Sequence, residues 1–256
     1  MKKIILLTLI ACASFGWIFV SFDREIGLSS NNIIKSDVLG YDLQYRVYLP
    51  PGYGKLENLP VLYLTDGQWY ISDGELDDLL QKMINKKEIK PVIAVFLDSR
   101  DPHKPRNNRR NNQFLCNPKF VSFFERELIP LIDANYKTSA TRDDRAIMGL
   151  SFGGLNAAYF GLKANKTIGM FGLQSPALHP CPDIYKEYQG SGKLPIDIFM
   201  TTGEKNDTEV QSRRLKSILD KKGYSFFYKE VKEEHNWRNW KPLQKDALLY
   251  FFGTSG

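Results

Sequence analysis

The chain has 256 residues, of which 43% are hydrophobic and 13% aromatic, enough apolar material for the core of one sizeable domain. This composition excludes a disordered or low-complexity protein. The formal net charge is +6, but most lysines stand beside acidic residues, as in 230–233, which is typical of a solvated surface and excludes a dedicated nucleic-acid-binding face.

A targeting segment is the first predicted element. Two lysines precede an uncharged run over residues 4–22, and a positive start before an apolar stretch is typical of export signals. Three interpretations of residues 1–23 stay open: a cleaved signal peptide, a lipoprotein signal lipidated at Cys12, and an uncleaved membrane anchor. All three predict that the rest of the chain, residues 24–256, lies in the periplasm or at the cell surface.

Short apolar runs then alternate with helical patterns. The predicted strands are residues 32–35, 41–48, 60–64, 92–97, 145–148, 170–173, 196–200 and 225–228. The predicted helices are residues 74–85, 118–136, 152–163, 208–221 and 242–252. After two opening antiparallel strands, this alternation indicates an α/β fold, with a mainly parallel twisted sheet covered by helices on both faces. No linker or shift in composition is present, so we expect no separate lid domain.

The segment Gly149-Leu-Ser-Phe-Gly-Gly154 carries the strongest chemical signal. It follows an apolar run and precedes a helical pattern, the context in which G-x-S-x-G is typical of a nucleophile elbow. Side chains at the flanking positions would collide in so sharp a turn, which explains Gly149 and Gly153. The pattern predicts that Ser151 is a nucleophile.

A serine hydroxyl needs a base, and the base needs a third group to orient it. Of the three histidines, His235 has the required position, after the last strand and before the final helix. The acid should follow the strand 196–200, where Asp207 is favoured over Glu204, although Asp207 could also cap the next helix. The order serine, acid, histidine is that of α/β-hydrolases.

The oxyanion hole of such a site needs two preorganised N–H donors. The N–H of Phe152, directly after the nucleophile, is one candidate. The second should come from the turn after strand 60–64, where we select Gln68. Asp66, in the same turn, is assigned no chemical role.

A basic segment lies at residues 104–112. Arginine clusters recognise anionic or catechol groups by charge and stacking, so Arg110 is a candidate substrate contact. A solvated loop is an alternative interpretation.

The two remaining cysteines, Cys116 and Cys181, each lie in a predicted loop that we place near the rim of the candidate site. They form one disulfide or two free thiols; the sequence alone leaves both open. Neither a C-x-x-C pair nor a His/Cys cluster is present, so we expect no metal site and no other cofactor.

Together these residues resemble the enterochelin-esterase-like branch of the α/β-hydrolases. The resemblance runs from about residue 38 to the C-terminus. It rests on segments 48–53, 60–67, 127–130, 149–154 and 235–240, the last being similar to the H-x-W-x-x-W ending of that family. The ending makes Trp237 a second candidate substrate contact.

The resemblance implies an α/β-hydrolase fold and cleavage of carboxylic esters, including siderophore trilactones, S-formylglutathione and feruloyl or acetyl esters on sugars. Two departures from the family pattern stand out. Glu233 and Glu234 replace the usual glycines before the histidine, and Gln113 replaces the glutamate of the family's R-x-x-E-[YF] segment, so the usual carboxylate partner of Arg110 is missing.

The sequence therefore predicts an exported serine ester hydrolase that works through an acyl-enzyme on a small-molecule or glycan ester, either siderophore-type or feruloylated or acetylated carbohydrate. One alternative is an acyltransferase acting on a sugar or lipid acceptor. Another is a non-catalytic surface binding protein that keeps the fold.

Overall fold

The computed structural model describes residues 27–254. The export signal expected at residues 1–23, with the lipidation site at Cys12 and the membrane anchor, lies outside the described residues. Within 27–254, no helix combines the length and apolar character needed to cross a membrane.

A nine-stranded sheet forms the centre of the molecule. Its strands are β1 (Gly27–Leu28), β2 (Asn32–Ser36), β3 (Tyr41–Leu49), β4 (Val61–Leu64), β5 (Ile93–Asp98), β6 (Arg145–Leu150), β7 (Met170–Gln174), β8 (Asp197–Gly203) and β9 (Phe227–Val231). The spatial order is β1-β3-β5-β4-β6-β7-β8-β9, with β2 also paired to β3. Pairs involving β3 are antiparallel, and all pairs from β5 to β9 are parallel. The expected mainly parallel sheet is confirmed.

Helices cover both faces of this sheet. They are α1 (Gly67–Ser72), α2 (Leu76–Asn85), α3 (Arg110–Phe114), α4 (Pro118–Phe123), α5 (Ile129–Asn135), α6 (Phe152–Lys163), α7 (Asp183–Gly190), α8 (Glu209–Lys221) and α9 (Trp237–Phe252). Side chains of β4 show the two layers, because Val61 and Tyr63 join the core under α4–α8 while Leu62 and Leu64 join the core under α1, α2 and α9.

Three short helices, α1, α3 and α7, were not predicted, because five to eight residues carry too little periodicity. The predicted helix 118–136 is interrupted by a π turn at Phe124–Leu128. Pro130 follows this turn. Proline has no N–H to donate to the carbonyl four residues earlier, and its ring crowds that carbonyl. The wider π turn relieves this crowding. The last helix begins at Trp237, five residues before the predicted start at Pro242, because the Asn236 side chain accepts a hydrogen bond from the N–H of Arg238 at 2.9 Å.

Candidate active site

Ser151 occupies the sharp turn between β6 and α6. Its backbone has φ 58° and ψ −118°, a conformation that costs energy for a residue with a side chain. A Cβ atom added at Gly149 or at Gly153 would lie 2.3 Å or 2.8 Å from Thr65 Oγ1. No side chain therefore fits at either position, and this steric limit explains the two glycines of the G-x-S-x-G pattern.

The structure brings together the three residues selected from the sequence. Ser151 Oγ lies 2.9 Å from His235 Nε2, and His235 Nδ1 lies 2.5 Å from Asp207 Oδ1. Ser151, Asp207 and His235 follow β6, β8 and β9, so they meet where the carboxyl ends of parallel strands meet. Glu204, the alternative acid, is exposed, and among the described residues the carboxylate bound to His235 Nδ1 is that of Asp207. The geometry therefore favours Asp207, whose catalytic role stays a prediction.

Asp207 is held by several donors. Its side chain is fully buried, and Oδ2 accepts hydrogen bonds from the N–H of Gly203 at 2.5 Å, Ser175 Oγ at 2.7 Å and Asn239 Nδ2 at 2.8 Å. Burial raises the pKa of Asp207, but the hydrogen bonds from His235, Gly203 and Ser175 outweigh burial and lower it. Asp207 is therefore ionised at neutral pH, as an acceptor for the His235 N–H must be.

Ser175 links this carboxylate to the final helix. Trp240 Nε1 donates a hydrogen bond to Ser175 Oγ at 2.8 Å, and Ser175 Oγ donates in turn to Asp207. The Trp240 ring also stands perpendicular to the His235 ring, with centroids 4.9 Å apart. Sequence reasoning missed Ser175 and Asn239; the only available signal for Ser175 was a polar residue directly after the buried strand β7.

The two expected oxyanion donors lie in the first turns of helices. Phe152 opens α6 and Gln68 is the second residue of α1, so neither N–H has an acceptor within its own helix. No hydrogen bond to another residue of 27–254 occupies either N–H. Both groups are free to bind a developing negative charge, and this role stays a prediction.

Arg110 has a carboxylate partner after all, although a different one from that of the family pattern. Its Nε lies 2.9 Å and 2.8 Å from the two carboxylate oxygens of Asp66, and Nη2 donates to the carbonyl of Leu150 at 3.2 Å. The Asp66 side chain is fully buried. Burial raises its pKa to about 6, even though Arg110 opposes the rise. The sequence assigned no role to Asp66. In the structure, Asp66 in the loop after β4 binds Arg110, and Arg110 binds the carbonyl of Leu150, the residue before Ser151.

The other cations of the basic segment are exposed or paired within the fold: Lys104 and Arg106 are exposed, and Arg109 forms an ion pair. Arg109 Nη2 lies 2.5 Å from Asp101, and His103 Nε2 lies 2.8 Å from Asp42. These pairs favour the solvated-loop interpretation for residues 104–109 and leave Arg110 as the arginine that faces the site.

An open cleft of about 300 Å³ lies over Ser151. Both expected substrate contacts, Arg110 and Trp237, line it. The Trp237 ring packs perpendicular to Trp240, with centroids 5.6 Å apart. Trp69, which sequence reasoning missed, also lines the cleft and is 36% exposed. Ser151 and His235 therefore share the cleft with three tryptophans, one cation and one acidic residue, Asp73.

A disulfide joins Cys116 and Cys181, whose Cα atoms are 6.5 Å apart. This resolves the two alternatives left by the sequence and connects the segment after α3 with the segment before α7. Over the described residues, no group of three or more histidine, cysteine or acidic side chains is placed to hold a metal ion.

Comparison with known proteins identifies the family. The family model described as "Putative esterase" matches residues 36–251. The chain belongs to this esterase family. It is a carboxylic ester hydrolase, and the enterochelin-esterase-like relationship expected from the sequence is confirmed.

Three relatives show how far the similarity extends. The uncharacterized protein YjcH of Bacillus subtilis is 27% identical over 226 residues, 83% of this chain and 92% of that protein. The endo-1,4-beta-xylanase/feruloyl esterase of Xylanibacter ruminicola is 30% identical over 189 residues, 68% of this chain but 24% of that protein. The iron(III) enterobactin esterase of Escherichia coli K12 is 29% identical over 119 residues, 46% of this chain and 28% of that protein. The esterase thus spans only about a quarter of the last two relatives.

The fold is also that of solved esterases. The enterobactin esterase of Shigella flexneri superposes with a TM-score of 0.77 at 21% identity, covering 86% of this chain and 58% of that one. The α/β-hydrolase fold expected from the sequence is confirmed.

Proposed function

We propose that this esterase is an exported serine hydrolase that forms an acyl-enzyme on Ser151. The observation that carries the proposal is the continuous chain of hydrogen bonds from Ser151 Oγ through His235 to the buried Asp207, with distances of 2.9 Å and 2.5 Å. In this arrangement a neutral imidazole accepts the serine proton through Nε2 while its Nδ1–H stays bound to the carboxylate.

The first half of the reaction transfers the acyl group to the enzyme. Ser151 Oγ attacks the ester carbonyl carbon as its proton moves to His235 Nε2, and the N–H groups of Phe152 and Gln68 bind the oxyanion. The carbon–oxygen bond to the alcohol then breaks, and His235 returns the proton to the departing oxygen. The alcohol leaves, and the acyl group remains on Ser151.

The second half restores the enzyme. His235 removes a proton from a water molecule, whose oxygen attacks the acyl carbon. The bond to Ser151 Oγ breaks, the serine regains its proton from His235, and the acid leaves.

The proposed substrates are siderophore-type esters or feruloylated and acetylated carbohydrates. Two relatives, named as an enterobactin esterase and a feruloyl esterase, support this class. The cleft supports it as well, because Trp69 and Trp237 offer apolar surface for an aromatic acyl group and Arg110 offers a cation. A hydrolysis screen across these esters, with alcohol acceptors added in parallel, separates hydrolysis from acyl transfer.

The nucleophile is tested with Ser151→Ala and the control Ser30→Ala, which removes the same hydroxyl from an exposed position. We expect turnover of p-nitrophenyl acetate to fall by about 10⁴-fold or more in the first variant and to stay unchanged in the second. A fluorophosphonate should label the wild type and not Ser151→Ala. Turnover at the wild-type rate in Ser151→Ala, or no labelling of the wild type, would reject the proposal.

Export is part of the same proposal. Its supports are the charge pattern of residues 1–23 and the Cys116–Cys181 disulfide, since disulfides persist in oxidising compartments. Expression of the full chain with fractionation should recover it outside the cytoplasm. Loss of lipid labelling in Cys12→Ala would identify the lipoprotein route, and recovery of the wild type in the cytoplasm would contradict export.

A further inference from the structure

Gln174, the last residue of β7, connects three parts of the molecule. Its main-chain carbonyl accepts a hydrogen bond from the N–H of Ser151 at 2.9 Å. Its side chain is fully buried and binds two helices: Oε1 accepts from the hydroxyl of Tyr70 in α1 at 2.8 Å, and Nε2 donates to the carbonyl of Trp240 in α9 at 2.9 Å. One residue therefore contacts the nucleophile turn and both helices that carry the tryptophans of the cleft.

The direction of each hydrogen bond in this chain is fixed. The carbonyl of Trp240 can only accept, so the Gln174 amide presents its NH₂ group to α9 and its oxygen to α1. The Tyr70 hydroxyl is then the donor to that oxygen. Burial raises the pKa of Tyr70 well above its ordinary value, so the hydroxyl keeps the proton that it donates. The loss of either partner would leave an unpaired polar group in the interior, which makes the arrangement specific.

The segment that follows Gln174 also holds the nucleophile. The N–H of Ala177 donates to the carbonyl of Ser151 at 3.0 Å, so Gln174 and Ala177 bind both main-chain polar groups of that residue. Between them, Ser175 has φ 44°, in the left-handed region that costs energy for a residue with a side chain. The same short segment thus fixes the main chain of Ser151 and the starting point of the Gln174 side chain.

Helix α1 is held at both of its ends. Gly67, its first residue, packs against β5, because a Cβ added there would lie 2.5 Å from the main chain of that strand. Tyr70, one turn later, is bound by the Gln174 amide, and its ring packs perpendicular to Trp237 with centroids 5.8 Å apart. Gln68, whose main-chain N–H is the expected second oxyanion donor, lies between these two points. A helix of this length is not stable alone, so its position depends on such contacts.

We propose that Gln174 and Tyr70 are positioning residues of the hydrolysis. Gln174 keeps α1 in register with Ser151, so that the N–H of Gln68 meets the oxyanion that forms at the nucleophile. Through the carbonyl of Trp240, the same amide fixes α9, the helix that follows the catalytic histidine. A displacement of about 1 Å in such a site costs on the order of 100-fold in rate. The inference rests on the proposed function, since it needs Ser151 as the nucleophile and Gln68 as an oxyanion donor.

Tyr70→Phe tests the proposal because it removes the hydroxyl and keeps the ring against Trp237. We expect kcat/KM for p-nitrophenyl acetate to fall about tenfold. The matched control is Tyr188→Phe: Tyr188 is equally buried, donates to the carbonyl of Ala158 at 2.7 Å and lies in the core on the other face of the sheet. The control should lose a similar amount of thermal stability and keep kcat/KM within about twofold. An unchanged kcat/KM in Tyr70→Phe, or an equal fall in both variants, would overturn the proposal.

An inhibitor that forms an oxyanion separates positioning from a loss of folded protein, since its Ki does not depend on the amount of active enzyme. In trifluoroacetophenone, the carbonyl carbon bonds to Ser151 Oγ, the serine proton moves to His235, and the carbonyl oxygen becomes the oxyanion. Its Ki should rise about tenfold in Tyr70→Phe, in parallel with the fall of kcat/KM, and stay unchanged in Tyr188→Phe. An unchanged Ki in Tyr70→Phe would mean that the hydroxyl serves stability alone and would overturn the proposal.

Gln174→Met removes the amide, keeps the length of the side chain and provides an independent test if Tyr70→Phe does not fold. It should lower kcat/KM at least as much as Tyr70→Phe, and the double variant should be no slower than Gln174→Met, because both changes act through one hydrogen bond. Unfolding curves establish that each variant is folded at the assay temperature. Multiplied effects in the double variant would overturn the proposal. Failure of the proposed function is distinguishable, because the wild type itself would then show no turnover, no fluorophosphonate labelling and no inhibition by the ketone.

Discussion

Arg110 holds the fully buried carboxylate of Asp66 through Nε, at 2.9 Å and 2.8 Å from its two oxygens. Arg110 also reaches the carbonyl of Leu150, so the pair joins the loop of one expected oxyanion donor to the turn of the other. Burial outweighs the arginine and raises the pKa of Asp66 to about 6. This buried pair is consequently a site where pH acts on the fold.

The first prediction concerns stability against pH. The folded pKa of Asp66, about 6, lies above the ordinary value of 3.8. Between these values the folded state keeps the proton and the unfolded state loses it. The tighter binding of this proton stabilises the folded state. The stabilisation is fully present below pH 3.8 and is lost as the pH rises through 6. Relative to Asp66→Asn, the free energy of unfolding of the wild type should therefore fall by about 2 kcal/mol between pH 4 and 7.

Denaturant unfolding at several pH values checks this difference. Asp220→Asn, on the exposed surface of α8, is the control, and its curve should run parallel to that of the wild type. A constant difference between wild type and Asp66→Asn over the whole range would contradict the prediction.

The second prediction separates the two acids considered from the sequence. Asp207→Asn replaces the charged acceptor of the His235 Nδ1–H and favours the wrong tautomer, so kcat should fall by about 10³- to 10⁴-fold with little change of fold. Glu204→Gln alters the exposed alternative and should leave kcat within about twofold, as expected for a surface change. Steady-state kinetics on p-nitrophenyl acetate decide between them, and the reverse ranking would make Glu204 the acid.

The third prediction contrasts Trp237 and Trp240, the two tryptophans of the H-x-W-x-x-W segment that begins at His235. Trp240→Phe removes the Nε1 donor to Ser175, which orients Asp207, so kcat should fall about 5- to 30-fold at nearly constant KM. Trp237→Phe trims the wall of the cleft, so KM for an aromatic ester should rise while kcat is largely kept. Equal changes of kcat and KM in both variants would show that the two rings do not have separate roles.

The fourth prediction concerns the disulfide. Cys116 and Cys181 are 65 residues apart, and a cross-link over such a loop stabilises a fold by about 4 kcal/mol in the chain-entropy account. The double variant with serine at both positions should lose stability of that order in denaturant unfolding, and dithiothreitol should destabilise only the wild type. Unchanged unfolding of the wild type under reducing conditions would contradict this.

The sequence predicted the parts of the site that depend on one local rule. Ser151 follows from the steric demands of its turn, and Asp207 and His235 follow from their place after strands of a parallel sheet. Its failures involve contacts between distant segments. Asp66 was passed over because its partner, Arg110, is 44 residues away, and Ser175 because Trp240 reaches it across 65 residues. Neither spacing has a periodicity that a single sequence reveals.

The last prediction tests the steric basis of the nucleophile turn. A Cβ added at Gly149 would lie 2.3 Å from Thr65 Oγ1 and 2.4 Å from the backbone carbon of Gly153, so the turn must shift for it to fit. Gly149→Ala should therefore destabilise the fold by several kcal/mol, at the upper end of single substitutions, and abolish turnover, because a displaced Ser151 loses its contact with His235. Gly190→Ala is the control, since a Cβ there meets nothing within 4 Å. Activity and thermal unfolding of both variants check the difference, and a stable, active Gly149→Ala protein would mean that close packing against Thr65 is not what fixes the position of the serine.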